Sequence, residues 1–557
     1  MFAWSLKLMV DGVLHHNPTT LAVSAAAITI TAMMGFAGLW FGSQFRIRLI
    51  EAVGFELNRE IANLVSIVPG LEPYENTDFQ NQLELLRQGH GLLGGSLNTM
   101  LSALRVIVFG ISTIATLAFV SPVLLLVVPF ALPALAVTSI QQRWFKAAEN
   151  DSAEPNRQAR YLQELTVDRN AGLELRVLRL RHEIIGRLER AWRRATDILS
   201  AAHLHSALLG FAGELFFLIG FGGVMGLMLW RVSHGLASTG DVVLAVYLMQ
   251  EVRAAVVDPV QSASSVGETL RVAGRILWLK DYAKRAIAAI SGSRPVPVRL
   301  AQSIEFDRIS FRYPGTTQWV LRDISFRVPA GGTVALIGEN GAGKTTLVKL
   351  LCRMYEPTEG RILVDGVELS EIEVGAWRDR LSAAFQDFAR FEFTAQHTIG
   401  FGDLSKLDDR DAVDAAMERA GAPDLLATLP AAHETQLGVR WEGGMDLSTG
   451  QWQKLALGRA LMREDPLLIF FDEPTASLDA LAEHTLFERY ANQTRAGSTR
   501  GMVTMLISHR FSNVRSADLI IVMDGGTIVE TGSHDELLQR KSGLYAQLYR
   551  LQAEQYA

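Results

Sequence analysis

The chain has 557 residues, 49% of them hydrophobic, with a formal net charge of −6 and a single cysteine, Cys352. The acidic balance gives no hint of a nucleic-acid partner, and one thiol excludes an internal disulfide framework. A mean hydropathy of +0.17 is high for a fully soluble protein of this length, which has room for roughly three to four ordinary domains, so membrane segments are expected.

In chain order, residues 1–10 are apolar but carry Lys7 at their middle and no charged front end, so they do not read as a cleavable signal. Residues 2–10 are also too short to cross a bilayer, which takes about 20 helical residues. They are either an outer-face start or the tail of a first span that this chain lacks. Long apolar stretches follow at residues 19–43, 106–140 and 206–230, the first two without a charge and the last with Glu214 alone. The middle one is long enough for two crossings, with a turn at Ser121 and Pro122. A weaker fifth span, residues 242–262, is interrupted by Glu251, Arg253 and Asp258. Glu214 stands alone in an otherwise apolar span, and an ionisable group at that depth faces a cavity or a partner. Glu251 and Arg253 are two apart, so on one helix they do not pair.

Residues 141–205 are rich in Lys and Arg, including Arg176, Arg179, Arg181, Arg193 and Arg194, whereas residues 232–240 carry none. The positive-inside tendency puts the former in the cytoplasm, together with everything that follows the last span. Composition turns polar around Ser291, Gly292, Ser293, Arg294, Pro295 and Pro297. The expected organisation is a membrane domain at 1–285, a linker at 286–300 and an α/β domain at 301–557.

That last domain holds the chemistry. Residues 333–337 form an apolar run that reads as a buried strand, then GENGAGKTT occupies 338–346, then residues 347–351 read as helix. In this context Gly338, Gly341 and Gly343 let backbone amides curl around phosphate, Lys344 reaches the outer phosphates, Thr345 offers its hydroxyl to magnesium, and Thr346 completes the cradle. A second apolar run, 467–471, delivers Asp472 and Glu473 at its end, one carboxylate to hold Mg2+ and one to orient or deprotonate water. The substrate is therefore a nucleotide. Cys352, just after the phosphate loop, is expected to be an inert buried thiol.

With Tyr313 in FRYPG, Gln386 in FQD, LSTGQ at 447–451, SLD at 477–479 and His509 in ISHR, the chain resembles the exporter-type ATP-binding cassette transporters over nearly its whole length. That resemblance implies an α-helical polytopic membrane domain plus an α/β P-loop nucleotide-binding domain, in a half-transporter that uses ATP and Mg2+. It assigns Tyr313 to adenine stacking, Gln386 to the metal and to communication with the membrane domain, Glu473 to catalysis and His509 to the γ-phosphate. Asn340, Gln451 and Asp479 join the nucleotide site, and Ser448 and Gly450 act on nucleotide held by a partner cassette. Two chains then sandwich two nucleotides, and the intact Glu473 favours a homodimer. Thr449 departs from the usual glycine; a β-branched residue there is expected to crowd the phosphate and slow turnover without abolishing it.

The stretches YENTDFQNQLE (74–84), ELTVDRNAGLELRVLRL (164–180) and LGVRWEGGMDLSTGQWQK (437–454) are similar to bacterial exporters of lantibiotics and related modified peptides. The resemblance implies short helices near 74–79 and 168–173 that dock on the cassettes. No cysteine-protease segment precedes the spans, so the chain is not expected to process a leader peptide. The expected function is ATP-driven export of a peptide-like, lipid or amphipathic substrate from a multi-pass plasma-membrane dimer, with a cytoplasmic nucleotide domain. An importer built on the same fold, or a membrane-anchored regulatory subunit, are the alternatives.

Overall fold

A computed structural model describes residues 2–14, 16–120, 122–290, 292–472, 501–508, 511–540 and 542–556. The chain divides into two compact units: residues 1–62 with 84–278, and residues 63–83 with 279–557.

The first unit is entirely helical among its described residues. Its long members are Pro18–Ser66, Thr77–Gly94, Ser96–Val120, Pro133–Val167, Arg181–Ser233 and Thr239–Ala289. Four helical stretches among the described residues, Pro18–Ser66, Ser96–Phe119, Pro122–Val167 and Arg181–Ser233, are long and apolar enough to cross a membrane. The expected fifth segment lies in Thr239–Ala289, where its three charges dilute the apolar run. Helix Ser96–Val120 and a 3-10 helix at Pro122–Val127 flank the predicted turn, of which Ser121 lies outside the described residues.

Leu117, Leu124, Val127, Phe217, Val224, Met228, Leu244 and Leu248 form the unit's core. Helix Arg181–Ser233 approaches the start of the preceding span so closely at Gly220 that a Cβ there would lie 2.2 Å from Phe130 Cγ. Elsewhere Phe36, Phe119 and Phe211 are about three-quarters exposed, the surface lipid requires. The N-terminal helix Phe2–Leu14 has 13 residues, about 20 Å of length, short of a bilayer's hydrocarbon. It is pinned to the turn before the last helix: Lys7 Nζ is 2.5 Å from Asp241 Oδ1, and Asp11 accepts hydrogen bonds from Gly240 N at 2.9 Å and Ser238 Oγ at 3.1 Å.

The second unit contains two sheets. Strands β1 (Ser303–Phe311), β2 (Leu321–Pro329), β4 (Glu359–Val364) and β5 (Val367–Glu368) form an antiparallel sheet in the order β2-β1-β4-β5. The other sheet runs β10-β9-β3-β8-β7-β6, from β3 (Thr333–Gly338), β6 (Leu381–Ala384), β7 (Leu468–Asp472), β8 (Val503–Ile507), β9 (Leu519–Asp524) and β10 (Thr527–Gly532). All its neighbours are parallel except β10 on β9. Every residue of β3, β7 and β8 is buried, as strands covered on both faces must be. Helix Lys344–Leu351 packs Leu347, Val348, Leu350 and Leu351 into the core beside Phe306, Phe311 and Trp377. A separate helical cluster, centred on Ile399, Val413, Met417, Trp452 and Leu455, supports helix Thr449–Ala460.

Candidate nucleotide site

Parallel register sets the geometry. Leu336 of β3 and Asp472 of β7 both pair with Ile507 of the strand between them, so the phosphate loop and Asp472 emerge at the same edge, two strand spacings or about 10 Å apart. The carboxyl-terminal edge of such a sheet is where ligands bind. Helix Lys344–Leu351 closes the gap: its Thr345 hydroxyl lies 3.4 Å from Asp472 Oδ2. Asp472 is 4% exposed. Gln386 lies two residues beyond β6, whose Ala384 pairs with Phe471; it stands exposed at that same edge.

Inside the loop, Gly341 and Gly343 have φ of 86° and 100°, the left-handed region that glycine enters without penalty. At Gly343 the sterics agree, because a Cβ would meet Leu321 Cδ2 at 2.4 Å. Gly338 is needed for room: its Cβ would sit 2.2 Å from the Met523 carbonyl oxygen. Lys344 is buried, and its ammonium donates to the carbonyls of Gly338 at 2.7 Å and Glu339 at 2.9 Å. Asn340 and Thr345 are exposed. A carboxylate and a hydroxyl, both oxygen donors, are what Mg2+ accepts from protein, with phosphates and water completing its shell. The residues fit that ion.

Tyr313 takes a position that composition did not predict. Its hydroxyl is 3.1 Å from Thr346 Oγ1, and its ring packs edge-on against Phe311 and Tyr355. The Lys349 ammonium lies 5.2 Å from the ring centre, a cation–π distance. Lys349 also forms an ion pair with Glu75 at 3.0 Å, and Tyr355 donates its hydroxyl to the other oxygen of that carboxylate. Burial opposes the charge on Lys349, but the Glu75 carboxylate and Tyr313 hold its pKa above the ordinary value. Burial, then the Glu75 carboxylate, pushes the Tyr355 phenol up strongly. Glu75 ends the short helix Glu72–Glu75, whose approach is fixed by Arg378 donating to Pro69 O at 2.5 Å and by Leu71 N on Met354 O. The expected short helix near 74–79 thus belongs by its contacts to the second unit. Sequence reading missed Glu75, Lys349 and Tyr355.

At the head of helix Thr449–Ala460, Ser448 and Gln451 form a reciprocal capping box: Ser448 Oγ accepts from Gln451 N at 3.2 Å, and Gln451 Oε1 accepts from Ser448 N at 2.9 Å. Both side chains are therefore engaged in building the helix start. Thr449 is the first helical residue with ordinary helical backbone, Gly450 the second, so the departure from glycine brings no backbone strain. The expected site residues Glu473, Asp479 and His509 lie outside the described residues. Cys352 is buried, and burial pushes its thiol up to about 12, in keeping with the inert role expected. Arg253 is the partner that the sequence left unnamed for Glu214; the two form an ion pair between helices.

A polytopic helical domain joined to a P-loop cassette, with lysine, hydroxyl and carboxylate gathered at one sheet edge, defines a nucleotide-driven membrane protein. Residues 321–476 match the ABC transporter family, and the chain carries an ABC transporter domain. It is 41% identical over 261 residues to an ATP-dependent lipid A-core flippase of Alkalilimnicola ehrlichii, covering 47% of this chain and 42% of that protein. With the flippase of Bordetella avium it shares 36% over 338 residues, 60% and 54% of the two chains. The subtilin transport ATP-binding protein SpaT of Bacillus subtilis is 37% identical over 248 residues, 44% and 39%. The matches thus span about half the length of these curated relatives. A bacterial Atm1-family ABC exporter with ATP bound superposes with a TM-score of 0.77 at 24% identity, over 99% of this chain and 96% of that one. The described residues therefore share the fold of that exporter.

Proposed function

We propose that the chain is one half of an ATP-driven exporter that moves a peptide-like, lipid or amphipathic substrate across the plasma membrane by alternating access. The observation that carries this reading is the approach of Thr345 to Asp472 at the edge where Lys344 folds over the phosphate loop. Thr345 and Asp472 would hold Mg2+ with Gln386 nearby, and the bound ion would offset charge on the phosphates. Lys344 and the amides of the loop would hold the phosphates, while Tyr313 and Asn340 would complete the nucleotide pocket. Glu473 would orient the attacking water, and His509 and Asp479 would contact the nucleotide from the same cassette and across the seam.

A second chain, identical in the simplest case, would bring its own Ser448, Gly450 and Gln451 to that seam. Closure of the paired cassettes would reach the membrane helices through segments such as Glu72–Glu75 and Arg169–Val177, the latter leaving Leu173 and Val177 about three-quarters exposed. The likeness to lipid A-core flippases and to a subtilin transporter supports an amphipathic cargo without choosing between lipid and peptide. The test is ATP hydrolysis and cargo movement by the purified full chain in inverted lipid vesicles. Lys344→Ala should abolish both, and undiminished cargo movement in that variant would overturn the reading.

A further inference from the structure

We propose that Asp446 and Trp452 are positioning residues for ATP hydrolysis. A hydrogen bond between them sets the angle at which the chain enters helix Thr449–Ala460, and with it the aim of Ser448 and the first helical amides. The bond runs from Trp452 Nε1, the donor, to Asp446 Oδ1 at 3.1 Å. The proposal rests on the reading that this helix start meets nucleotide held by a second chain.

Counted from the cap residue Ser448, Leu447 stands one place before the helix start, Asp446 two places before it, and Trp452 is the fourth helical residue. An apolar residue just ahead of the cap that packs with the fourth helical residue fixes how the chain enters a helix. Leu447 and Trp452 are both buried, in the same cluster as Val413 and Leu455. A buried indole N–H also needs an acceptor. Here the acceptor lies on the far side of the cap, so one side chain ties residues 446 and 452 across the whole LSTGQ turn.

The chain is anchored upstream as well: Met445 donates its N–H to Gln436 O at 2.9 Å and accepts from Gly438 N at 2.8 Å. Ser448 and Thr449 are exposed, whereas Leu447 and Trp452 on either side are buried. The exposed part of the turn is thus held by buried groups that leave its outer side open to an anion. Because Ser448 Oγ accepts from Gln451 N at 3.2 Å, its position follows the helix start. A helix N-terminus holds phosphate only if its amides point at it, and a rotated entry spoils that aim without touching Lys344 or Thr345. In the paired reading, the LSTGQ turn and the phosphate loop of one chain serve different nucleotides. Loss of the bond therefore slows turnover and leaves ATP binding at the phosphate loop intact, a split that general unfolding of the domain would not produce.

Purified full-length protein in lipid nanodiscs is assayed for ATP hydrolysis across ATP concentrations, and for equilibrium binding of trinitrophenyl-ATP with magnesium withheld. Trp452→Phe keeps an aromatic ring and removes the donor, Asp446→Ala removes the acceptor, and Asp446→Asn keeps an acceptor oxygen while dropping the charge. The Phe and Ala variants should each lower kcat at least about fivefold, with KM and analogue binding within about twofold of the parent. Asp446→Asn should restore kcat to within about twofold, and the double variant Asp446→Ala with Trp452→Phe should fall no more than about twofold below the worse single, because both changes cut one bond. Melting curves confirm that each variant is folded. Unchanged kcat in Trp452→Phe, analogue binding that weakens in step with kcat, an Asn variant no better than Ala, or losses that multiply in the double variant would overturn the proposal. Ser448→Ala separates the two readings. If it leaves kcat unchanged, the role of this helix start in hydrolysis fails and the proposal with it; if it slows hydrolysis while Trp452→Phe does not, the proposal alone fails.

Discussion

Glu75 ties the short helix Glu72–Glu75 to the phosphate-loop helix, and its removal has a size that can be worked out. In Glu75→Ala, Lys349 loses a partner at 3.0 Å, with the two side chains 26% and 43% exposed; solvent reduces such a pair to about 1 kcal/mol. Tyr355 is only 6% exposed, and its hydroxyl loses a charged acceptor, worth about 1.5 kcal/mol at the low end for such bonds. Together about 2.5 kcal/mol of local stability is lost. At 1.36 kcal/mol per decade that is roughly a 70-fold rise in the open population. Hydrogen exchange on the full chain should therefore show the amides of Leu71, Tyr74 and Asn76, bonded to Met354, Leu71 and Glu72, exchanging about 70-fold faster. Amides of β3 serve as the unaffected reference. Tyr355→Phe should give about tenfold. Acceleration below threefold in Glu75→Ala would refute the argument, because it would mean that the carboxylate does not hold the segment.

Gly338→Ala should lower the melting temperature of the full protein, since the new Cβ would lie 2.2 Å from a backbone oxygen of β9 and overpacking of this kind costs about 1–3 kcal/mol or more; an unchanged melt would contradict the close approach. The Cys352 thiol, raised from 9.0 to about 12, should react with iodoacetamide at pH 8 about 10³-fold more slowly than an ordinary thiol, from ionisation alone. Because the folded chain keeps that proton longer than the unfolded one, its contribution to stability is full below pH 9 and is lost as pH climbs from 9 toward 12. Cys352→Ala should flatten that alkaline loss in a melting series, and an identical slope in both proteins would count against it. Thr449→Gly should raise the ATPase rate if the methyl group crowds the partner's phosphate, and an unchanged rate would make the substitution neutral.

Local chemistry was readable where it depended on neighbours in the chain. The apolar run at 333–337 became β3, the run ending at Asp472 became β7, and the glycines of the loop proved to hold the backbone and the space expected of them. What stayed hidden was anything set by distant pairing. Glu75 and Lys349 are 274 residues apart, and no periodicity links them. Glu214 read as solitary because its partner sits on another helix, although the argument that two residues two apart do not pair had already freed Arg253 to look elsewhere. Tyr313 read as a stacking platform; its neighbours Tyr355, Phe311 and Lys349 appear only once the sheets are folded together. Ser448 and Gln451 stand three apart, a spacing that announces a capping box, and that signal could have been found.

Residues 63–83 are counted by their contacts with the later half of the chain although they are encoded among the spans. Any attempt to produce the nucleotide domain alone, starting near residue 279 or 301, therefore removes a piece of that domain's own surface. Arg378 would lose the carbonyl of Pro69, and Met354, Lys349 and Tyr355 would lose their covering. A soluble fragment would be better designed with that stretch grafted back as a tethered peptide, and the gain in yield over the bare fragment would report directly how much of the domain is borrowed from upstream.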